Sequence, residues 1–126
     1  MKSKTALVVD DVTFARQVVK EILAQAKITV AGEAANGEEA IKLYRQIKPD
    51  FVVMDLVMPK KGGIEASRAI IEQNSDARII MVSGLSHEQV LIDAVNAGAR
   101  DFILKPFSAK DLLKSVEKLF ENERDA

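Results

Sequence analysis

Cysteine is absent from this chain and histidine occurs once, at position 87. The missing thiols exclude disulfides and thiolate metal sites, and a single imidazole argues against a zinc centre. No uninterrupted apolar stretch approaches the roughly 20 residues that a membrane span needs. The opening Met1-Lys2-Ser3-Lys4-Thr5 leads into only a short apolar run without a cleavage-like site, so a cytoplasmic location is expected and no membrane contact. Charge of one sign is also lacking. The formal net charge is -1 and the Lys and Arg residues are scattered, which removes the basic stripe that direct nucleic-acid binding requires. Internal repeats, low-complexity tracts and linkers are likewise missing.

What is present suits one folded domain. The 126 residues match the usual domain size of roughly 100 to 150, and 48% hydrophobic with 29% charged residues is ordinary for a globular protein. The expectation is one domain over residues 1–126, with no output domain. Residues 5–10 read as a strand, and apolar residues spaced by four from Val12 to Ala26 as a helix. Residues 28–35 form a weaker strand, and Asn36 with Glu39 caps a helix that ends near Pro49. The continuous apolar run from Phe51 to Leu56 is a third strand, and Met58-Pro59-Lys60-Lys61-Gly62-Gly63 breaks the chain. A helix over 64–73 precedes a strand over 79–82. Ser86-His87-Glu88-Gln89 matches a capping box for a helix closed by Gly98. A fifth strand covers 101–104, Pro106 blocks its extension, and Ser108 with Asp111 caps a last helix carrying Leu112, Leu113, Val116, Leu119 and Phe120 on one face. The polar tail from Glu121 is expected to fray.

Five strands alternating with five helices imply an α/β fold, a doubly wound (βα)5 domain with a parallel five-stranded sheet in the flavodoxin-like order 2-1-3-4-5. In such sheets ligands gather at the carboxyl ends of the strands. Asp10 and Asp11 end the first strand, Asp55 the third, Ser83 the fourth and Lys105 the fifth. Mg²⁺, or Mn²⁺ in its place, takes oxygen ligands from one or two carboxylates, waters and a phosphate. Three carboxylates drawn together repel one another unless a cation offsets them, which makes a metal the expected companion of Asp10, Asp11 and Asp55. A carboxylate also serves as nucleophile toward phosphorus. Lys105 offers an ammonium and Ser83 a hydroxyl to the oxygens of a transferred phosphoryl group, so phosphorylation of Asp55 is the simplest chemistry that uses all of them.

Val9-Asp10-Asp11, Met54-Asp55, Met58-Pro59, Ser83-Gly84 and Lys105-Pro106 occur in the order of a five-part signature. By these motifs the chain resembles a CheY-like response-regulator receiver domain of two-component signalling, over essentially its whole length. The resemblance implies that Asp55 accepts phosphate from a histidine kinase or phosphotransfer protein, with Asp10, Asp11, Asp55 and the backbone carbonyl of Val57 holding Mg²⁺. It further implies phosphoryl contacts from Ser83 and Lys105, a cis peptide before Pro106, and Ser83 and Phe102 as the switch pair. Phe102 lacks the hydroxyl often found there, so the switch would work by packing. The downstream partner is expected on the surface of the fourth helix, fifth strand and fifth helix, and the assembly is a monomer or a phosphorylation-dependent dimer. Lys60-Lys61 departs from the common apolar residue and Asp of this loop. Val57 and Leu85 sit where the family tunes phosphate loss, and two apolar groups there imply a long-lived phosphorylated state.

Plainer readings stand beside these. Asp11 suits an ordinary helix cap, Ser83 a turn before Gly84, Lys105 a solvated strand end and Phe102 a core aromatic. The fourth helix, with Val90, Leu91, Ile92, Ala94 and Val95, is apolar over more than one buried stripe, which suits either a partner or a helix tucked on a sheet. A stand-alone switch, not an enzyme beyond its own phosphorylation and dephosphorylation, is the first functional expectation, and a receiver excised from a longer regulator its variant. An Asp-nucleophile phosphatase would want an acid where Val57 stands. A flavin-binding protein would want a glycine-rich phosphate loop where Asp10 and Asp11 stand.

Overall fold

The computed structural model describes residues 3–121, and the expected fraying tail falls largely outside the described residues. Five strands and five helices alternate: β1 (Thr5–Val9), α1 (Thr13–Gln25), β2 (Thr29–Ala34), α2 (Gly37–Ile47), β3 (Phe51–Asp55), α3 (Gly63–Gln73), β4 (Ile79–Ser83), α4 (Glu88–Asn96), β5 (Asp101–Leu104) and α5 (Ala109–Leu119). The strands form one parallel sheet in the order β2-β1-β3-β4-β5, as the sequence pattern predicts. Among the described residues no helix is long and apolar enough to cross a membrane.

Side chains alternate across a strand, so each apolar strand feeds two cores. Leu7, Val9, Val52, Met54, Ile79 and Met81 pack with α2, α3 and α4 through Ala40, Tyr44, Ala66, Ile70 and Ala94. Ala6, Val8, Phe51, Val53, Ile80 and Val82 face the other way, onto Val19 and Leu23 of α1, onto Leu112, Val116 and Leu119 of α5 and onto Phe120 just beyond it. The unbroken apolar runs are thereby explained. Both faces of the central strands are covered, and only the strand ends are left for polar chemistry.

Caps fix where the helices begin. Asn36 accepts the amide N–H of Glu39 at 2.9 Å to start α2, and Ser108 and Asp111 complete a capping box on α5. The capping box expected at Ser86 does not form. His87 is the residue that precedes α4, and no side chain caps that helix. The motif of residue types was present, but the first helical turn starts one residue later than that box needs. At the other end α4 closes as expected on Gly98, whose φ of 104° is the left-handed conformation that glycine adopts freely. The amides of Gly98 and Ala99 reach back to the carbonyls of Val95 and Ala94, the paired bonds of a Schellman closure.

Candidate functional site

Register places the acids side by side. Val9 pairs with Met54 between β1 and β3, so Asp10 and Asp55 follow on adjacent strands at the carboxyl edge. The Asp10 amide is anchored to the Ala34 carbonyl of β2 at 3.1 Å, and the Leu56 amide to the Val82 carbonyl of β4 at 2.9 Å. Asp10, Asp11 and Asp55 each present a carboxylate oxygen, and these atoms all lie within 4.8 Å of one another. The three acids singled out in the sequence are thus brought together. Three oxygen donors without a competing thiol or imidazole fit a hard divalent cation of the Mg²⁺ class.

A cation already touches this cluster. Lys105 Nζ lies 3.0 Å from Asp10 Oδ2 and 3.5 Å from Asp55 Oδ1, across 95 residues of sequence from Asp10. The ammonium of Lys105 therefore offsets part of the carboxylate charge at the cluster where a metal is expected. Asp10 uses its other oxygen to accept the Val12 amide at 2.9 Å, so both of its carboxylate oxygens are engaged. Burial pulls the Lys105 ammonium down, but the hydrogen bond to Asp10 and the charge of Asp55 outweigh it and hold it above its usual value. For Asp55 the balance runs the other way. Burial, then the neighbouring Asp10 charge, push its carboxyl above the ordinary range despite Lys105. An apolar cavity of about 370 Å³, with Val18, Val53, Val82 and Phe107 in its walls, lies beside Asp10 and Asp55.

Ser83 ends β4 with 1% of its surface exposed, and its Oγ accepts the Leu85 amide at 2.9 Å. The Lys105 amide donates to the Ser83 carbonyl at 2.8 Å, so the ends of β4 and β5 are tied. Phe102 is half-buried against the core beneath α4. Its placement agrees with a core aromatic and leaves one side near the groove between β5 and α5. Val57 and Leu85 stand at 61% and 45% exposure on the β3–α3 and β4–α4 loops. The peptide before Pro106 is cis, as expected.

The departing loop, Lys60 to Gly63, is held from two sides. The Lys61 carbonyl accepts the Gly37 amide at 2.8 Å, and the Gly63 amide donates to the Leu56 carbonyl at 2.8 Å. A Cβ on Gly63 would meet the Asp55 carbonyl at 2.5 Å, so α3 approaches the acid's own main chain as only glycine permits. Two residues that sequence pattern passes over also reach the site. Arg16 donates from Nη1 to the Asp10 carbonyl at 2.7 Å and from Nε to Glu33 at 3.0 Å. No sequence signal marks them, because Arg16 reads as one more polar position of an amphipathic helix.

The chain is similar to known proteins along nearly its full length. The response regulator receiver domain model matches residues 6–117. The chemotaxis protein CheY of Thermotoga maritima is 41% identical over 116 residues, which cover 92% of this chain and 97% of that protein. The nitrate/nitrite response regulator NarL of Escherichia coli is 36% identical over 120 residues, 94% of this chain but 56% of NarL. Among solved structures, the CheX-CheY-BeF3-Mg²⁺ complex from Borrelia burgdorferi superimposes with a TM-score of 0.90 at 34% identity, over 93% of this chain and 89% of that one. The fold, the acid cluster at the carboxyl edge of its sheet and the family match agree, and the chain belongs to the response regulator receiver domains.

Proposed function

We propose that the protein is a phosphorylation-controlled switch of a two-component phosphorelay, in which Asp55 accepts a phosphoryl group from a histidine kinase or phosphotransfer protein. One observation carries the reading: Asp10, Asp11 and Asp55 converge within 4.8 Å at the carboxyl edge of the sheet, with the Lys105 ammonium on two of them. Mg²⁺, or Mn²⁺, would be held by Asp10, Asp11 and Asp55 with the backbone carbonyl of Val57. When bound, the cation neutralises charge on phosphoryl oxygens. Asp55 Oδ attacks phosphorus, the bond from phosphorus to the donor imidazole nitrogen breaks, and its electron pair stays on that nitrogen. Lys105 and Ser83 donate to phosphoryl oxygens as charge shifts onto them.

Ser83 and Phe102 form the switch in this reading, coupling the phosphorylated edge to the surface of α4, β5 and α5. Leu91, Ile92, Val95 and Leu104 are exposed there, which supports a protein target at that face. Val57 and Leu85 offer no hydrogen bond to orient an attacking water, which supports slow loss of phosphate. Val57 likewise supplies no acid for a phosphatase cycle, so the protein acts on itself and not on a separate phosphoester substrate. Cytoplasmic action as a single domain, monomeric or dimerising on phosphorylation, completes the proposal. The similarity to just over half of NarL favours a second reading, a receiver module of a longer regulator.

Incubation with Mg²⁺ and acetyl phosphate, followed by intact mass, tests the assignment. A single added phosphoryl group that is absent from Asp55→Asn and persists beyond seconds is expected. No uptake by the wild type from any donor, or uptake by the variant at the same level, would overturn it.

A further inference from the structure

We propose that Arg16 and Glu33 are a positioning pair that fixes the Asp10–Asp11 turn for metal binding, an inference that rests on the function proposed above. α1 starts without a side-chain cap, since Val12 precedes it, and the turn that carries both acids is held locally by the Asp10 carboxylate on the Val12 amide at 2.9 Å, which leaves the place of a partner for the Asp10 carbonyl to be filled from elsewhere. Arg16 takes that place from the next helical turn. Its guanidinium donates to the Asp10 carbonyl at 2.7 Å through Nη1, to Glu33 Oε1 at 3.0 Å through Nε, and more weakly to Thr13 Oγ1 at 3.4 Å through Nη2.

The carbonyl concerned belongs to the peptide that joins Asp10 to Asp11, so its orientation sets where both side chains start. β2 grips that residue twice. Ala34 accepts the Asp10 amide directly, and Glu33, one residue earlier, holds the Asp10 carbonyl through Arg16. An ordinary surface ion pair contributes little, and Lys20 with Glu33 at 2.7 Å is such a pair. Arg16 differs because its side chain is 16% exposed and its shortest bond, at 2.7 Å, goes to the main chain of a residue of the acid cluster. Only the planar fork of arginine spans both partners, so lysine is no substitute here. Partners one step behind metal ligands typically govern affinity by 10- to 100-fold.

Mg²⁺ titrated calorimetrically into the full chain, with no phosphodonor present, reads this directly. Wild type should bind, Arg16→Ala about tenfold more weakly, Arg16→Lys nearly as weakly, and Glu33→Gln in between. Lys20→Ala should match wild type, because it removes a charge from Glu33 without touching Asp10. Unfolding of each variant without Mg²⁺ separates general destabilisation from lost affinity, and should Arg16→Ala fail to fold, Arg16→Lys and Glu33→Gln decide. Unchanged Mg²⁺ affinity in the folded Arg16 and Glu33 variants, or an equal loss in Lys20→Ala, would overturn the pair. Absence of Mg²⁺ binding in wild type would instead sink the functional proposal on which it stands.

Discussion

Asp55 sits at the carboxyl edge of the sheet at a cost in stability near neutral pH. Its carboxyl is raised by burial and by Asp10, so the folded chain binds that proton more tightly than the unfolded chain, whose value is about 3.9. Between the unfolded and the folded value, stability therefore falls as pH rises, and at neutral pH the ionised group is a liability. Asp55→Asn should raise unfolding free energy at pH 7, a gain that solvent screening limits and that vanishes below about pH 4. Urea unfolding across pH checks it, and a less stable variant at pH 7 would refute the electrostatic account. Asp101 is the opposite case. Burial raises its carboxyl, but bonds from Ser115 Oγ at 2.6 Å and the Phe102 amide outweigh it and leave it lowered, so its contribution is present above about pH 3.9 and lost on acidification. Residue types at strand ends made the acids legible in the sequence. The seat of Lys105 between two of them was not, because it depends on a long side chain crossing from β5 toward β1.

Helices and strands were read from period and punctuation, and the agreement is good where a cap has a local partner. Asn36 and Ser108 each bond an amide three residues on, a contact written in adjacent sequence. Ser86 fits the same pattern and caps nothing, since its helix starts one residue too late for the box. Helix ends show a similar split. Gly98 is foreseeable as a left-handed terminator, but α2 ends on Lys48 at φ 44°, where a side chain adopts a conformation that costs about 1–2 kcal/mol. Opposite substitutions should then have opposite signs. Lys48→Gly should stabilise by about 0.5–1 kcal/mol, whereas Gly98→Ala should destabilise by more than that, because its Cβ would come 2.5 Å from Ile71 in addition to the backbone strain. Thermal unfolding of the two variants checks both signs, and a shared sign would show that packing, not backbone conformation, governs these termini.

The whole molecule is a sheet whose order decides which strand ends become neighbours. β1 and β3 adjoin although α1, β2 and α2 separate them in sequence, and that crossover is what turns two separate acidic motifs into one cluster. Unbroken apolar strands foretell a parallel sheet covered on both faces, but more than one doubly wound order satisfies that pattern. The cluster was therefore legible only through the choice of the flavodoxin-like order that sets the first and third strand ends side by side. Its charge balance was not. With Lys105 bridging Asp10 and Asp55, a divalent cation entering this cluster competes with an ammonium already seated there. Two consequences follow by mass action, since a ligand that binds only the folded state stabilises it by RT ln(1 + [L]/Kd). At a Mg²⁺ concentration about 100 times Kd the wild type should gain about 2.7 kcal/mol, or about 10 °C in Tm. Lys105→Ala should start lower without Mg²⁺, because three close carboxylates lose their internal counter-charge, and should gain more from the ion than wild type does. Asp11→Asn should gain little. Melting curves with Mg²⁺ against ionic-strength-matched NaCl separate site binding from general screening. A Mg²⁺ gain in Lys105→Ala no larger than in wild type would mean that the ammonium and the metal do not compete for these carboxylates.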